Sequence, residues 1–311
     1  MKSAELAAEN SAHSTRAALA SVTLALVLLV AKGWAAYLTD STAMLGSLAD
    51  TALDVIASMT TLVGVRIAAI PADSDHRFGH GKAEALVALA QVALITVSAI
   101  GICWRAADRL THGAQTQAMD AGIGVSLLAI ALTFVLLWYQ RRVIARTGSV
   151  AIKTDNVHYK SDLMLNGSVI VALLLDQAFH VPGADPMFGI AIALWLLWGA
   201  WRASSEAIHQ LMDREWPENE RQEFLATAAT YPELKGLHDL RTRKSETLRF
   251  VQFHVWVPGD WSVQQAHDRL DAVEEELQDR FPGTEILIHV DPEGQTDRET
   301  LLPQEITERA T

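Results

Sequence analysis

Six long apolar stretches occupy the first two thirds of the chain and are separated by short polar connections. They cover about residues 15–38, 43–68, 82–105, 119–140, 154–180 and 185–206. A helix needs about 20 predominantly apolar residues to cross the hydrocarbon core of a bilayer, and each stretch reaches that length. The pattern therefore predicts an α-helical membrane protein with six transmembrane helices in a lipid bilayer.

Beyond residue 212 the periodicity becomes that of a small soluble domain. The predicted elements, in order, are a helix at 218–230, strands at 236–243 and 248–257, a helix at 262–281 and a strand at 285–290. This αββαβ order favours a compact α+β domain with its helices on one face of the sheet.

The patterning divides the chain into four segments. They are an N-terminal cytoplasmic segment at 1–14, a six-helix transmembrane domain at 15–208, a cytoplasmic domain at 209–293 and a disordered polar tail at 294–311. Lys and Arg concentrate in the connections after the second and fourth spans, whereas the first and fifth connections contain none. Because basic loops stay in the cytoplasm, both termini are expected there.

Charge distinguishes the two parts of the chain. Residues 1–212 hold 14 basic and 15 acidic residues, while residues 213–311 hold 11 basic and 22 acidic residues, so most of the net charge of −12 belongs to the soluble domain. A nucleic-acid partner needs a basic face and is therefore not expected. The single cysteine, Cys103, excludes an intrachain disulfide and disfavours a thiolate metal site.

Four chemically unusual side chains lie inside the predicted spans. Asp50 and Asp54 in the second span, like His158 and Asp162 in the fifth, are four residues apart, which places each pair on one helix face. Carboxylates at membrane depth need neutralisation by protons or by a cation. The two pairs could build a tetrahedral site whose imidazole favours zinc, cadmium or ferrous iron over magnesium, calcium or manganese. A structural polar cluster between helices is the alternative.

The connection between the second and third spans offers further candidate ligands. Asp73, His76 and His80 lie in a short loop that contains glycine and could converge on a metal ion. An ordinary polar loop is compatible with the same spacing.

Histidines of the soluble domain fall on or beside the predicted strands. Strand alternation places His254 opposite the apolar residues of its strand, and it does the same for His289 and Asp291 in the last strand. His238 precedes the first strand, and His267 lies early in the second helix. These side chains could meet at one sheet face or one dimer seam, or they could be separate surface histidines.

Five motifs, in the right order, resemble those of the cation diffusion facilitator family and specifically its YiiP/FieF-type bacterial efflux proteins. They are Asp50-xxx-Asp54, Phe78-Gly-His-Gly-Lys-Ala-Glu84, His158-Tyr-Lys-Ser-Asp162, His238-Asp-Leu-Arg-Thr-Arg243 and Ile288-His-Val-Asp-Pro292. The resemblance covers roughly residues 15–292 and implies a metallochaperone-like fold for the soluble domain.

The resemblance implies three metal sites and one charge pair. The transport site would be formed by Asp50, Asp54, His158 and Asp162, the loop site by Asp73, His76 and His80, and a cytoplasmic binuclear site at the dimer interface by His238, His254, His267, His289 and Asp291. Family members often have a further ligand at the place of Val290, which could contribute here only through its backbone carbonyl. Lys82 and Asp213 match a pair that interlocks the spans with the soluble domain across the dimer.

The implied activity is transport rather than catalysis. Members of the family are homodimers that exchange a divalent metal for protons, so we expect Zn2+ both as substrate and as a structural or regulatory ion, with Cd2+ and Fe2+ as further substrates. The expected location is the bacterial inner membrane. The alternatives are the same fold specialised for Fe2+ or Mn2+, or a passive metal channel. An intramembrane metallohydrolase is disfavoured because the sequence contains no His-Glu-xx-His motif.

Overall fold

Six long helices account for the first part of the chain in the computed structural model, which describes residues 2–39, 42–112, 123–179, 184–245 and 248–295. The helices are α1 (Lys2–Thr39), α2 (Thr42–Ala68), α3 (Ala83–His112), α4 (Ile123–Thr147), α5 (Val150–Phe179) and α6 (Ala184–Leu211). They form one compact unit from Asn10 to Leu211. Among the described residues, five of the six helices contain a stretch apolar enough to cross a membrane, and α5 is the exception.

Several helices extend beyond the apolar stretches that predict them. α4 continues to Thr147 and α5 already begins at Val150, because an apolar stretch marks only the part of a helix that lies in lipid while backbone hydrogen bonding continues into water. Gly148 ends α4 with a positive φ of 69° and donates its N–H to the Ile144 carbonyl at 2.9 Å. The predicted start of the fourth span, the end of the fifth and the tail beyond 295 lie outside the described residues.

A second unit begins at Met212 and follows the predicted αββαβ order. Its elements are α7 (Glu218–Ala228), β1 (His238–Ser245), β2 (Leu248–Val257), α8 (Val263–Arg280) and β3 (Thr284–Pro292). The sheet order is β1-β2-β3, with β1 and β2 antiparallel and β2 and β3 parallel. A parallel neighbour requires a crossover connection, which α8 supplies.

Both helices of this unit cover the same face of the sheet. Phe224 of α7 and Leu277 of α8 are fully buried against Phe253 of β2, in one apolar core. α8 begins with a capping box in which Ser262 and Gln265 satisfy each other's backbone N–H. The opposite sheet face is therefore left to the polar side chains of the strands.

α2 and α3 approach each other closely at Gly64. A Cβ atom at this position would lie 2.4 Å from Val87 Cγ2 and 2.7 Å from Val87 Cβ. Contacts this short force the two helices to separate or Val87 to move.

We predict that Gly64→Ala destabilises the helical unit by about 1–3 kcal/mol, as overpacking does in well-packed cores. The measurement is thermal unfolding of the full chain in detergent micelles. Gly101→Ala in α3 is the matched control, since no described atom lies within 4 Å of a Cβ placed there. Equal unfolding midpoints for the two variants would contradict the prediction.

Candidate metal centres

α2 and α5 bring together three of the four predicted transport ligands. His158 Nε2 lies 3.1 Å from Asp54 Oδ1 and 3.8 Å from Asp162 Oδ2, and ligand atoms of all three residues lie within 4.8 Å of one another. Two ligands of a tetrahedral zinc ion, each about 2.0–2.1 Å from the metal, are about 3.3 Å apart. The observed spacing therefore suits a divalent cation with little rearrangement.

Asp50 lies one turn earlier on α2, with an exposed side chain, and is not part of this group. Its role as the fourth ligand stays a prediction. The next residue, Thr51, accepts a hydrogen bond from Lys32 Nζ of α1 at 2.7 Å. The cationic end of Lys32 therefore lies beside the turn of α2 that follows Asp50.

Polar contacts continue from this group along the seam between α2 and α5, and we call them the α2–α5 ladder. Its three rungs are Asp54 with His158 at 3.1 Å, Ser58 with Tyr159 at 2.8 Å and Thr61 with Asp155 at 3.4 Å. On α2 the rung residues recur at three and four residues, and on α5 both His158 and Tyr159 lie about one turn after Asp155, so the contacts follow one seam. The face of α5 that carries the ligands is thereby directed at α2.

The loop after α2 gathers its three predicted ligands within 4.8 Å. His76 Nδ1 and His80 Nε2 each lie 3.5 Å from an oxygen of Asp73. Gly79, with a φ of 77°, turns the chain so that His80 returns towards Asp73. The other ring nitrogen of His80 contacts the Ile70 carbonyl at 3.2 Å, which aims Nε2 at the group.

Asp73 also organises the backbone of this loop. Its Oδ1 accepts the N–H of His76 at 2.7 Å and the N–H of Asp75 at 2.9 Å. The hydrogen bond from the His76 backbone lowers the pKa of the Asp73 carboxyl, and that from Asp75 acts in the same direction. The carboxylate therefore stays ionised at neutral pH, and the turn loses this acceptor only as the pH falls through the lowered pKa.

Strand register lines up three histidines of the second unit. His238 of β1 pairs with His254 of β2, which in turn pairs with His289 of β3. Asp291, two residues further along β3, places Oδ2 2.9 Å from His254 Nδ1 and 3.2 Å from His238 Nε2, and Oδ1 3.6 Å from His289 Nε2. Asp291 is thus the common neighbour of all three imidazoles.

The buried nitrogen of His238 points to a cation at this group. His238 Nδ1 contacts the Gly236 carbonyl at 2.7 Å, which directs Nε2 towards Asp291. Among the described residues, this buried Nε2 has no partner with hydrogen-bond geometry despite its short distance to the carboxylate. A metal ion would satisfy both groups.

Two other residues predicted for this site are exposed. His267 lies on α8 outside the group, and Val290 is 40% exposed on β3.

Lys82 Nζ donates to the Leu211 carbonyl at 3.2 Å within the first unit, and Asp213 pairs with Arg243 at 3.6 Å within the second. The interlock between Lys82 and Asp213 stays a prediction.

Two family models match the chain. The cation efflux transmembrane domain matches residues 18–212, and the cytoplasmic domain of cation efflux proteins matches residues 216–293. The chain belongs to the cation diffusion facilitator family. This confirms the predicted fold class, six transmembrane helices followed by a cytoplasmic α+β domain.

Curated relatives agree with this family over nearly the whole chain. The cation-efflux pump FieF of Klebsiella pneumoniae is 40% identical over 279 residues, which cover 89% of this chain and 92% of the relative. FieF of Salmonella newport is 39% identical over 286 residues, which cover 92% and 95%. The prediction of a cation-efflux transporter of the YiiP/FieF type, rather than an enzyme, is therefore confirmed.

Two solved structures match about a quarter of the chain. The zinc form of the zinc transporter CzrB is 35% identical, covering 28% of this chain and 99% of that structure, with a TM-score of 0.26. The metal-bound C-terminal domain of the CzcD transporter from Thermotoga maritima is 26% identical, covering 26% and 100%, with a TM-score of 0.25.

Sequence reasoning missed one buried carboxylate on the same helix as two of the predicted transport ligands. Asp155 of α5 is fully buried and lies three residues before His158. The signal available in the sequence was its position on the same face as His158 and Asp162, one and two turns away. Its partners come from four other helices, and only the fold reveals them.

We predict that Asp73→Ala removes the loop site's zinc, because the change deletes both a ligand and the acceptor that orders the turn. Zinc bound per chain, measured by atomic spectroscopy on the purified full chain after equilibration, should fall. Asp75→Ala is the matched control, since the Asp75 backbone N–H, which contacts Asp73, is retained. Unchanged zinc content in Asp73→Ala would mean that the loop holds no metal.

Proposed function

We propose that this efflux protein exports divalent transition-metal cations in exchange for protons, with Zn2+ as its main substrate and Cd2+ and Fe2+ as further ones. It would act as a homodimer in the bacterial inner membrane, with both termini in the cytoplasm. The observation that carries the proposal is the convergence of Asp54, His158 and Asp162 between α2 and α5. Membership of a cation-efflux family supplies the direction of transport.

Competition for the same lone pairs supports proton exchange. Carboxylates and imidazole bind metal only after losing their protons, so metal binding releases protons and acid displaces metal. Protons and metal ions can thus occupy the group alternately. A change of access between the two sides of the membrane converts this competition into antiport.

The ligand types support zinc. Two carboxylates and one imidazole offer oxygen and nitrogen without sulfur, a set that suits Zn2+ and its neighbours. Asp50 would complete four ligands if α2 presents it to the metal. Specialisation for Fe2+ or Mn2+ is the alternative within the same fold, and the imidazole argues against Mn2+.

Zn2+ bound in the cytoplasmic domain would regulate the protein rather than be transported. The segment from residue 213 onward has eleven more acidic than basic residues, so two copies repel each other. Zn2+ bound near Asp291, with ligands from His238, His254, His289 and His267, would offset that repulsion and hold two domains together. The Lys82–Asp213 pair and the loop site of Asp73, His76 and His80 would complete the assembly.

We predict that Asp54→Asn abolishes proton-coupled zinc flux in proteoliposomes. The amide retains the shape of the side chain but binds metal weakly and cannot exchange a proton near neutral pH. The measurement is zinc accumulation against its gradient under an imposed pH gradient. Asp75→Asn, in an exposed loop position, is the matched control.

Two outcomes would refute the proposed function. Undiminished flux in Asp54→Asn would exclude the assigned site. Flux in the unmodified protein that ignores the pH gradient and only follows the zinc gradient would identify a passive channel.

We also predict that chelation separates the two cytoplasmic domains. Fluorophores attached to each copy of the full-length dimer should show lower energy transfer after zinc removal, and zinc should restore it. Asp291→Asn should show low transfer throughout, because its carboxylate is the common neighbour of the histidines. Energy transfer between the fluorophores that does not change with zinc would exclude the regulatory role.

A further inference from the structure

Asp155 is a buried carboxylate that the proposed transport chemistry does not use. It is fully buried on α5 and accepts hydrogen bonds from side chains of four other helices. The donors are Ser21 of α1 at 2.6 Å, Thr61 of α2 at 3.4 Å, Gln91 of α3 at 3.4 Å and Gln140 of α4 at 2.8 Å. One side chain thus connects five of the six membrane helices.

The partners are arranged so that both oxygens of the Asp155 carboxyl group accept hydrogen bonds. Oδ2 receives the two short hydrogen bonds, from Ser21 and Gln140, while Oδ1 receives the two longer ones, from Thr61 and Gln91. Two hydroxyls and two amide NH2 groups can all donate, and an ionised carboxylate only accepts. Removing the acceptor would deprive these four donors of their common partner.

Asp155 is linked mechanically to the metal ligands. It forms the last rung of the α2–α5 ladder, and His158 and Asp162 follow on the same helix face at three and seven residues. Tyr159, on the middle rung, donates to the Ser21 carbonyl at 3.0 Å, so α1 contacts both Tyr159 and Asp155. Rotation of α5 about its axis would break these contacts together.

We propose that Asp155 is a positioning residue of the transport site. By accepting donors from α1, α2, α3 and α4, it fixes the rotation of α5 and so keeps His158 within reach of Asp54. The inference rests on the proposed function, because it concerns the affinity of that same site for its cation.

The first test is Asp155→Asn in the full chain. The amide keeps the volume but turns one acceptor into a donor that faces other donors. We expect the KM for zinc flux in proteoliposomes to rise about tenfold, and zinc to bind about tenfold more weakly in detergent, since small displacements of positioned groups have effects of this order or larger. In a His158→Ala background, which lacks the ligand that Asp155 is proposed to position, Asp155→Asn should weaken zinc binding much less than it does in the unmodified protein.

A second substitution that exchanges donor and acceptor in the Gln140–Asp155 hydrogen bond should restore zinc affinity. Gln140 already accepts Asn156 Nδ2 at 2.9 Å through its Oε1 while it donates to Asp155. In the double variant Asp155→Asn with Gln140→Glu, the new carboxylate can accept from Asn156, from Ser21 and from the new amide. We expect the double variant to recover most of the lost zinc affinity, whereas Gln140→Glu alone should not gain any.

A purely structural role gives a different pattern. Glu84→Gln is the control, because Glu84 is also a fully buried carboxylate and binds Ser149 Oγ at 2.8 Å and the Val150 N–H at 3.1 Å at the start of α5. It should lower the thermal stability without raising the KM. The inference would be overturned by an unchanged KM in Asp155→Asn. It would also be overturned by a raised KM that persists in the double variant Asp155→Asn with Gln140→Glu. Absence of proton-coupled flux in the unmodified protein would instead refute the proposed function.

Discussion

Burying carboxylates among membrane helices is the constraint on which this structure depends. The bundle meets it in two ways. Asp155 is compensated by fixed donors of the protein, whereas Asp54 and Asp162 share the single imidazole of His158. The first carboxylate is satisfied permanently, and the other two are left with a demand for positive charge that exchangeable ions can fill. The proposed transport function rests on this difference in compensation.

The cytoplasmic domain brings its candidate ligands together by a different route. Two helices cover one sheet face, so polar residues on the strands remain together on the other. Direct pairing across β1, β2 and β3 then places three imidazoles side by side, and Asp291 reaches all of them. Ligands that are far apart in sequence meet here through backbone register, whereas in the bundle they meet through helix rotation.

The sequence predicted the elements better than the contacts between them. Apolar length located the six spans, alternation located β2 at its observed bounds, and the i, i+4 spacing selected His158 with Asp162. Spacing along one helix cannot show which faces meet, and for that reason Asp155 was missed, while the place of Asp50 as a fourth ligand stays a prediction. Helix ends were also misjudged, because hydropathy reports the lipid boundary and capping groups such as Gly148 determine the backbone boundary.

The α2–α5 ladder has a consequence for how the site can change its access. Sliding α5 along α2 by one turn would bring the ligands opposite Ser58 and leave buried polar groups unmatched at both ends of the seam. Shear between these two helices would therefore break all three rungs at once. Rigid tilting of the α2–α5 pair would keep all three rungs during the proposed change of access, whereas sliding would not.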